Sequence, residues 1–316
     1  MQNLWNESQA KATINQYKNT SEDVALRVYT SRLIGIDPKL VLHGGGNTSV
    51  KSIAKNTTGE EINVLYVKGS GWDLDTLEPP GLPGVKLDTL IKLRNLNFLS
   101  DEDMVNEQRI NLLDAASPNP SVETLLHAFL PHKFIDHSHA DAILVIANQP
   151  NAKTLCEKIY GETMGIVPYI MPGFDLAKAA AEVYENNPQV KGLILVNHGL
   201  FTFGETAKES YDRHIDAVQQ AENFINSHDE KKLSPINSKP IGDEKKNTRV
   251  NWTLFAWIIR RRNWAKLVNT LQGRPRCFLF CIKPRMRRLV TNWYSYARSC
   301  YTDQAKTPPA KPKTFG

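Results

Sequence analysis

The chain has 316 residues, 41% of them hydrophobic, which is enough to bury one large core or two modest ones. Its four cysteines, Cys156, Cys277, Cys281 and Cys300, are few and unevenly placed, which suggests neither a disulfide framework nor a cysteine-built zinc site. The net charge of +6 joins two unlike parts, because residues 249–316 hold 15 Lys and Arg against the single acid Asp303, a net of +14, and leave −8 for residues 1–248.

The N-terminus lacks a basic start followed by an apolar run, so no secretory leader is expected. Nor does any stretch reach the roughly 18 consecutive apolar residues of a membrane span, so a soluble, cytoplasmic protein is expected. Over 21–35 Ser21 can cap a helix whose first turn holds Glu22 and Asp23, with Val24, Val28, Leu33 and Ile34 near one face and Gly35 as its stop. Next, VLHGGGNTSVK reads as a strand ending in a glycine-rich turn. EINVLYVKGSGWDL repeats that design, an apolar strand over 62–67 running into Lys68, Gly69, Ser70 and Gly71. Residues 86–96 read as a helix, and NPSVETLLHAFLP as a short one opened by Ser121 and closed by Pro131.

FIDHSHADAILVIANQP then places His137 and His139 at the end of a short extended run, before an apolar segment compatible with a helix. IVPYIMPG reads as a strand and DLAKAAAEVYENN as a helix. KGLILVNHGLFTFG reads as two strands parted by a turn at Asn197, His198 and Gly199. The clearest helix covers 205–227, with Tyr211, Ile215, Val218 and Ile225 on one face. The pattern predicts a mixed α/β domain over 1–230, a polar linker over 231–248 and a basic tail over 249–316 that ends in TPPAKPKTFG. The tail holds Trp252, Trp257, Trp264 and Trp293 without sustained periodicity, and its abrupt change of charge reads as an aberrant or out-of-frame, poorly structured C-terminus. Taken literally it would instead be a basic, aromatic segment for nucleic acid or an anionic membrane.

Side chains two apart in an extended segment point the same way, so His137 and His139 can reach one metal ion. A catalytic zinc site needs a third protein ligand, and His198, after the apolar strand GLILV, is the natural candidate. Glu123, fourteen positions before His137, is either a helix-dipole carboxylate or an acid/base beside the metal. His127, one helical turn on, either partners Glu123 or packs. The turns at Gly44, Gly45, Gly46, Asn47, Thr48 and Ser49 and at Gly69, Ser70 and Gly71 can form an anion-binding nest, or be merely tight turns. Neither fits a dinucleotide or Walker fingerprint.

The ordered set HGGGNTSVK, KGSGWDL, PSVET, DHSHAD and NHGLFTFG resembles the class II aldolase/adducin family over about residues 20–228. It is most similar to the aldolase half of bifunctional rhamnulose-1-phosphate aldolase/short-chain dehydrogenases. The resemblance implies a three-layer α/β/α domain with a mostly antiparallel sheet, acting on a sugar phosphate as a homo-oligomer, a tetramer, with Zn2+ or another divalent metal. Carried over by motif, His137, His139 and His198 are the metal ligands and Glu123 the acid/base. Gly46, Asn47, Ser49, Gly69, Ser70 and Ser121 hold the phosphate. The implied reaction is aldol cleavage of L-rhamnulose 1-phosphate, with fuculose or ribulose phosphates, epimerisation, or a non-catalytic adducin-like role as alternatives. Val122 stands where the family often has a second serine, and VKGSG departs from a threonine-proline lead-in. No glycine fingerprint follows residue 230, so no dehydrogenase domain is expected in this chain.

Overall fold

The computed structural model describes residues 1–228; the expected linker, 231–248, and the basic tail, 249–316, lie outside the described residues. The elements run α1 (Glu7–Gln16), α2 (Glu22–Gly35), β1 (Asn47–Lys55), β2 (Glu61–Val67), β3 (Gly84–Lys86), α3 (Leu87–Leu93), α4 (Asp101–Ile110) and α5 (Thr124–Phe129). They continue as β4 (Phe134–Ser138), α6 (Asp141–Ala147), α7 (Ala152–Tyr160), β5 (Met164–Val167), α8 (Phe174–Asn186), β6 (Gly192–Leu195), β7 (Gly199–Gly204) and α9 (Ala207–His228). Among the described residues no helix is long and apolar enough to cross a membrane.

The seven strands form one sheet in the order β3-β2-β1-β4-β7-β6-β5, and every pairing except β5 with β6 is antiparallel. Each face of the sheet carries its own core. On one side Val24, Val28 and Ile34 of α2, Ile143 and Ile146 of α6, Tyr160 of α7 and Tyr211, Ile215 and Val218 of α9 pack on Val50, Phe134, Ile194 and Leu200. On the other, Leu90 of α3, Met104 of α4, Leu125, Leu126 and Phe129 of α5 and Phe174 and Ala177 of α8 pack on Leu65, Val67, Ile135, Leu193, Phe201 and Phe203. This is the three-layer, mostly antiparallel arrangement the resemblance implied. Burial on both faces explains why β6 and β7 read as continuous apolar runs rather than alternating ones.

One expectation is corrected. The first strand follows the glycines instead of preceding them, because residues 41–46 form a turn and β1 starts at Asn47. Asn47, Thr48 and Ser49 are buried although polar, their hydrogen bonds made to side chains: Thr48 Oγ1 lies 2.7 Å from Ser31 Oγ, and Ser49 Oγ lies 2.8 Å from His127 Nδ1. The helices α1, α4 and α7 are additional to the expected elements, α1 and α4 being polar helices capped by Asn6 and Ser100.

The central strand β4 alternates strictly. Asp136 and Ser138 face α2 and α9, where a buried polar network awaits them. The fully buried Arg27 guanidinium pairs with Asp136 and donates to the Ile135 carbonyl at 3.3 Å, and the Ser210 hydroxyl donates to Asp136 Oδ2, 2.5 Å away. His214 bridges Thr202 Oγ1 at 2.8 Å and Ser138 Oγ at 2.7 Å. A buried pair of this kind is costly to break from one side, since the survivor is left an uncompensated charge. His137 points to the opposite face.

Candidate metal centre and acid/base site

His137 is fixed by three contacts. Its ring stacks on Phe201, centroids 4.1 Å apart and planes within 15°, and its Nδ1–H donates to the Leu200 carbonyl at 3.0 Å. That bond places the proton on Nδ1 and leaves Nε2 a bare lone pair, the tautomer a metal ligand needs. Two residues on, just past the strand end, His139 presents its own Nε2 at 3.0 Å from that of His137. His198 arrives from the turn between β6 and β7, which is made by Asn197 in the left-handed region at φ 58 and by the His198 N–H bonding the Leu195 carbonyl. Its ring centroid lies 5.1 Å from that of His137 and 5.5 Å from that of His139. One nitrogen from each ring falls within 4.8 Å of the others, so three residues from two segments remote in sequence form a group that could hold a metal ion.

Close backbone approach makes this possible. A Cβ on Gly199 would lie 2.4 Å from the Ser138 carbonyl and 3.1 Å from both His137 and His139. A Cβ on Gly46, at φ +65, would lie 2.6 Å from the His137 carbonyl. Gly46 therefore serves the packing of the first turn against β4.

Glu123 occupies the N-cap position of α5, buried at 8% exposure. Its Oε2 accepts from Asn47 Nδ2 at 2.5 Å and stands 3.3 Å from His137 Nε2; its Oε1 stands 2.9 Å from His198 Nε2 but off the N–H direction, so that oxygen has no hydrogen-bond donor. Burial pushes this carboxyl up, but His137, His198 and the Asn47 amide together outweigh it and hold the group well below the usual carboxylate range. Burial in turn holds the His137 and His139 imidazoles below their ordinary value, against the pull of Glu123. The Glu123 carboxyl is thus favoured as the carboxylate, and His137 and His139 are favoured in the neutral form.

These residues fit a divalent cation. His137 Nε2 and His139 Nε2 lie 3.0 Å apart, each able to turn a lone pair to an ion, and both Glu123 Oε1 and the buried His198 Nδ1 lack a partner. Zinc takes imidazole nitrogen as a ligand at about 2.0–2.1 Å.

A second layer orders Asn47. The fully buried His127, held neutral by burial that lowers it to about 3, bonds Ser49 Oγ through Nδ1 and Asn47 Oδ1 through Nε2, the latter at 2.5 Å. With the Ser49 hydroxyl donating to Nδ1, His127 donates to Oδ1, which turns Nδ2 toward Glu123 and, at 3.0 Å, toward Ser121 Oγ. Asn47 and Ser49, read from resemblance as phosphate contacts, are thus engaged inside the fold, and His127 reaches Glu123 only through Asn47. Gly69 and Ser70 spend their backbone N–H groups on the Gly81 and Asn119 carbonyls, both at 2.8 Å. The Ser70 side chain is exposed and Ser121 sits at the Glu123 rim, while Val122 is 49% exposed. Lys68, in sequence only the lead into a turn, lies buried between the two glycine-rich segments.

A layered α/β domain with three converging imidazoles and one buried carboxylate defines an aldolase-type domain, and comparison with known proteins agrees. The family described as Class II Aldolase and Adducin N-terminal domain matches residues 26–225, and the chain belongs to that family. It is 45% identical over 199 residues to "Uncharacterized oxidoreductase YuxG" of Bacillus subtilis (strain 168), a match covering 63% of this chain; the chain spans 29% of that relative's length. Among solved structures it is similar to the N-terminal Class II Aldolase domain of a conserved protein from Thermoplasma acidophilum, with 45% identity and a TM-score of 0.64 over 71% of this chain and 99% of that one. A sugar-phosphate aldolase from Thermotoga maritima, 15% identical with a TM-score of 0.51 over 67% of this chain and 97% of that one, shares the fold.

Proposed function

We propose that this domain cleaves a ketose 1-phosphate by retro-aldol chemistry, with a divalent metal ion, zinc foremost, held by His137, His139 and His198. The observation that carries the reading is the convergence of three imidazoles from two distant segments beside the ionised Glu123. When bound, the ion supplies a Lewis acid for the ketose carbonyl and its neighbouring hydroxyl oxygen. As the C3–C4 bond breaks, its electron pair stays on the three-carbon phosphate fragment, the C4 hydroxyl loses its proton, and C3 gains one. Glu123 is the group placed to move that proton, oriented by Asn47. Ser70 and Ser121 offer hydroxyls to the phosphate end.

The motif order favours L-rhamnulose 1-phosphate as substrate, giving dihydroxyacetone phosphate and L-lactaldehyde; fuculose and ribulose phosphates are the alternatives within the class. A cytoplasmic homo-oligomer, tetrameric by resemblance, accompanies this reading. The test is aldol cleavage of L-rhamnulose 1-phosphate by the full chain with and without chelator. Glu123→Gln should keep the metal and lose about 10²–10⁴ in turnover. A metal-free wild-type protein, or a Glu123→Gln variant with unchanged turnover, overturns the reading, and the first result would favour an adducin-like interaction domain.

A further inference from the structure

Lys68 follows directly on β2 at the junction of the two glycine-rich turns and is 3% exposed. Its ammonium donates to one carbonyl from each turn, Gly44 O at 3.1 Å and Trp72 O at 2.7 Å. An ammonium has three N–H groups, so one remains without a protein partner among the described residues. No carboxylate forms a direct ion pair with it there, although Asp73 and Glu123 both act on its charge. Gly45, beside its acceptor Gly44, would bring a Cβ to 3.7 Å from His139 Nδ1, so the turn that holds the ammonium also borders the imidazole cluster. A buried cation with a spare donor and no direct counter-charge is an unfinished arrangement, because desolvating a charge is costly unless it is compensated.

The backbone around it makes the same demand. The N–H groups of Gly44, Gly45, Gly69 and Ser70 are all bonded within the fold, to Asp73 and to the Leu42, Gly81 and Asn119 carbonyls. Those four amides cannot act as an anion nest without breaking these bonds, so a side-chain cation adds an attraction they do not offer. Lys68 also fixes the residues opposite, since its carbonyl accepts the Ser121 N–H at 3.1 Å, two positions before Glu123.

We propose that Lys68 is a positioning residue for the anionic end of the substrate, clamping the two glycine-rich turns together and supplying the positive charge that draws a phosphate monoester against Ser70 and Ser121. The inference rests on the reading of a phosphorylated ligand given above.

The test uses the full chain loaded with zinc and inorganic phosphate as the probe, followed by isothermal titration. Lys68→Met should weaken phosphate by about tenfold or more, as expected for a lost charge-assisted hydrogen bond, with zinc content unchanged, and Lys68→Arg should recover most of it. KM for the phosphorylated ketose should rise in parallel while kcat falls less, a split that a purely structural clamp would not give. Phosphate affinity in Lys68→Met within about twofold of wild type overturns the proposal, as does a wild type that binds no phosphate. Should Lys68→Met fail to fold, the Lys68 Nζ resonance of lysine-labelled wild-type protein decides, shifting on phosphate addition if the proposal holds and staying put if it does not. A protein that takes up no zinc but still binds phosphate through Lys68 would sink the lyase reading alone.

Discussion

The amide of Asn47 and the carboxylate of Glu123 meet at 2.5 Å, the shortest link between the buried His127 layer and the three-imidazole cluster. That contact makes Asn47 part of what keeps Glu123 ionised. Asn47→Ala removes the donor, and Asn47→Asp adds a second negative charge. Both raise the carboxyl, so activity that needs the ionised form is lost at higher pH as the solution is acidified. The acid limb of the kcat/KM profile should move upward for both, and further for Asp; an unmoved limb would free Glu123 from this dependence.

Removing one ring from the cluster should abolish metal binding. His137→Ala loses a candidate ligand and the stack on Phe201 together, whereas His198→Ala loses a ligand on a half-buried turn. Metal content, measured by elemental analysis, should fall from about one ion per chain to near zero in each. Turnover should drop by more than the roughly 10–100-fold typical of outer-shell changes. A full complement of metal in His198→Ala would remove that residue from the site.

Gly199 is predicted to be intolerant of a methyl group. With the Ser138 carbonyl 2.4 Å from the would-be Cβ, Gly199→Ala must push β7 from β4 at the point where the histidine pair emerges. Overpacking of this sort costs about 1–3 kcal/mol, and the same displacement should weaken metal binding. Chemical denaturation and a metal titration read the two effects; wild-type values in both would show that the strands yield freely.

Acid should begin to destabilise the domain well above the ordinary carboxylate range. Burial lowers His127 to about 3 and His214 to about 4, both beneath the value of about 6.5 for an unfolded histidine. Because each is depressed in the fold, the unfolded chain binds the extra proton first. The stability these residues contribute is complete above about pH 6.5 and is lost as pH falls toward the folded values. Between pH 7 and 5 each should cost about 2 kcal/mol, visible as a falling urea midpoint in chelator. His214→Gln should be less stable at pH 7 yet show a shallower slope; an unchanged slope would mean His214 is not protonated on unfolding.

Period-two spacing for His137 and His139 and a histidine at the end of an apolar strand for His198 only suggest the cluster in the sequence, and it is the motif resemblance that joins the three. The three-layer fold followed from the motif resemblance. Other features were hidden. β1 begins with Asn47, Thr48 and Ser49, three buried polar residues whose partners Ser31, His127 and Glu123 lie in other segments, so no apolar alternation announced the strand. The roles of Asn47 and Lys68 depend on which atoms of distant turns they meet, and a glycine-rich turn looks the same in sequence whether its amides are free or already bonded.

The two sides of β4 hold each other in place. Slipping the strand by one residue would swing His137 into the space of Asp136, strand the Arg27 guanidinium in apolar surroundings, and turn an aspartate toward Phe201. Pairing errors that a uniformly greasy central strand would tolerate are therefore heavily penalised here, and the ion pair on the far side acts as a registration pin for the chemistry in front of it.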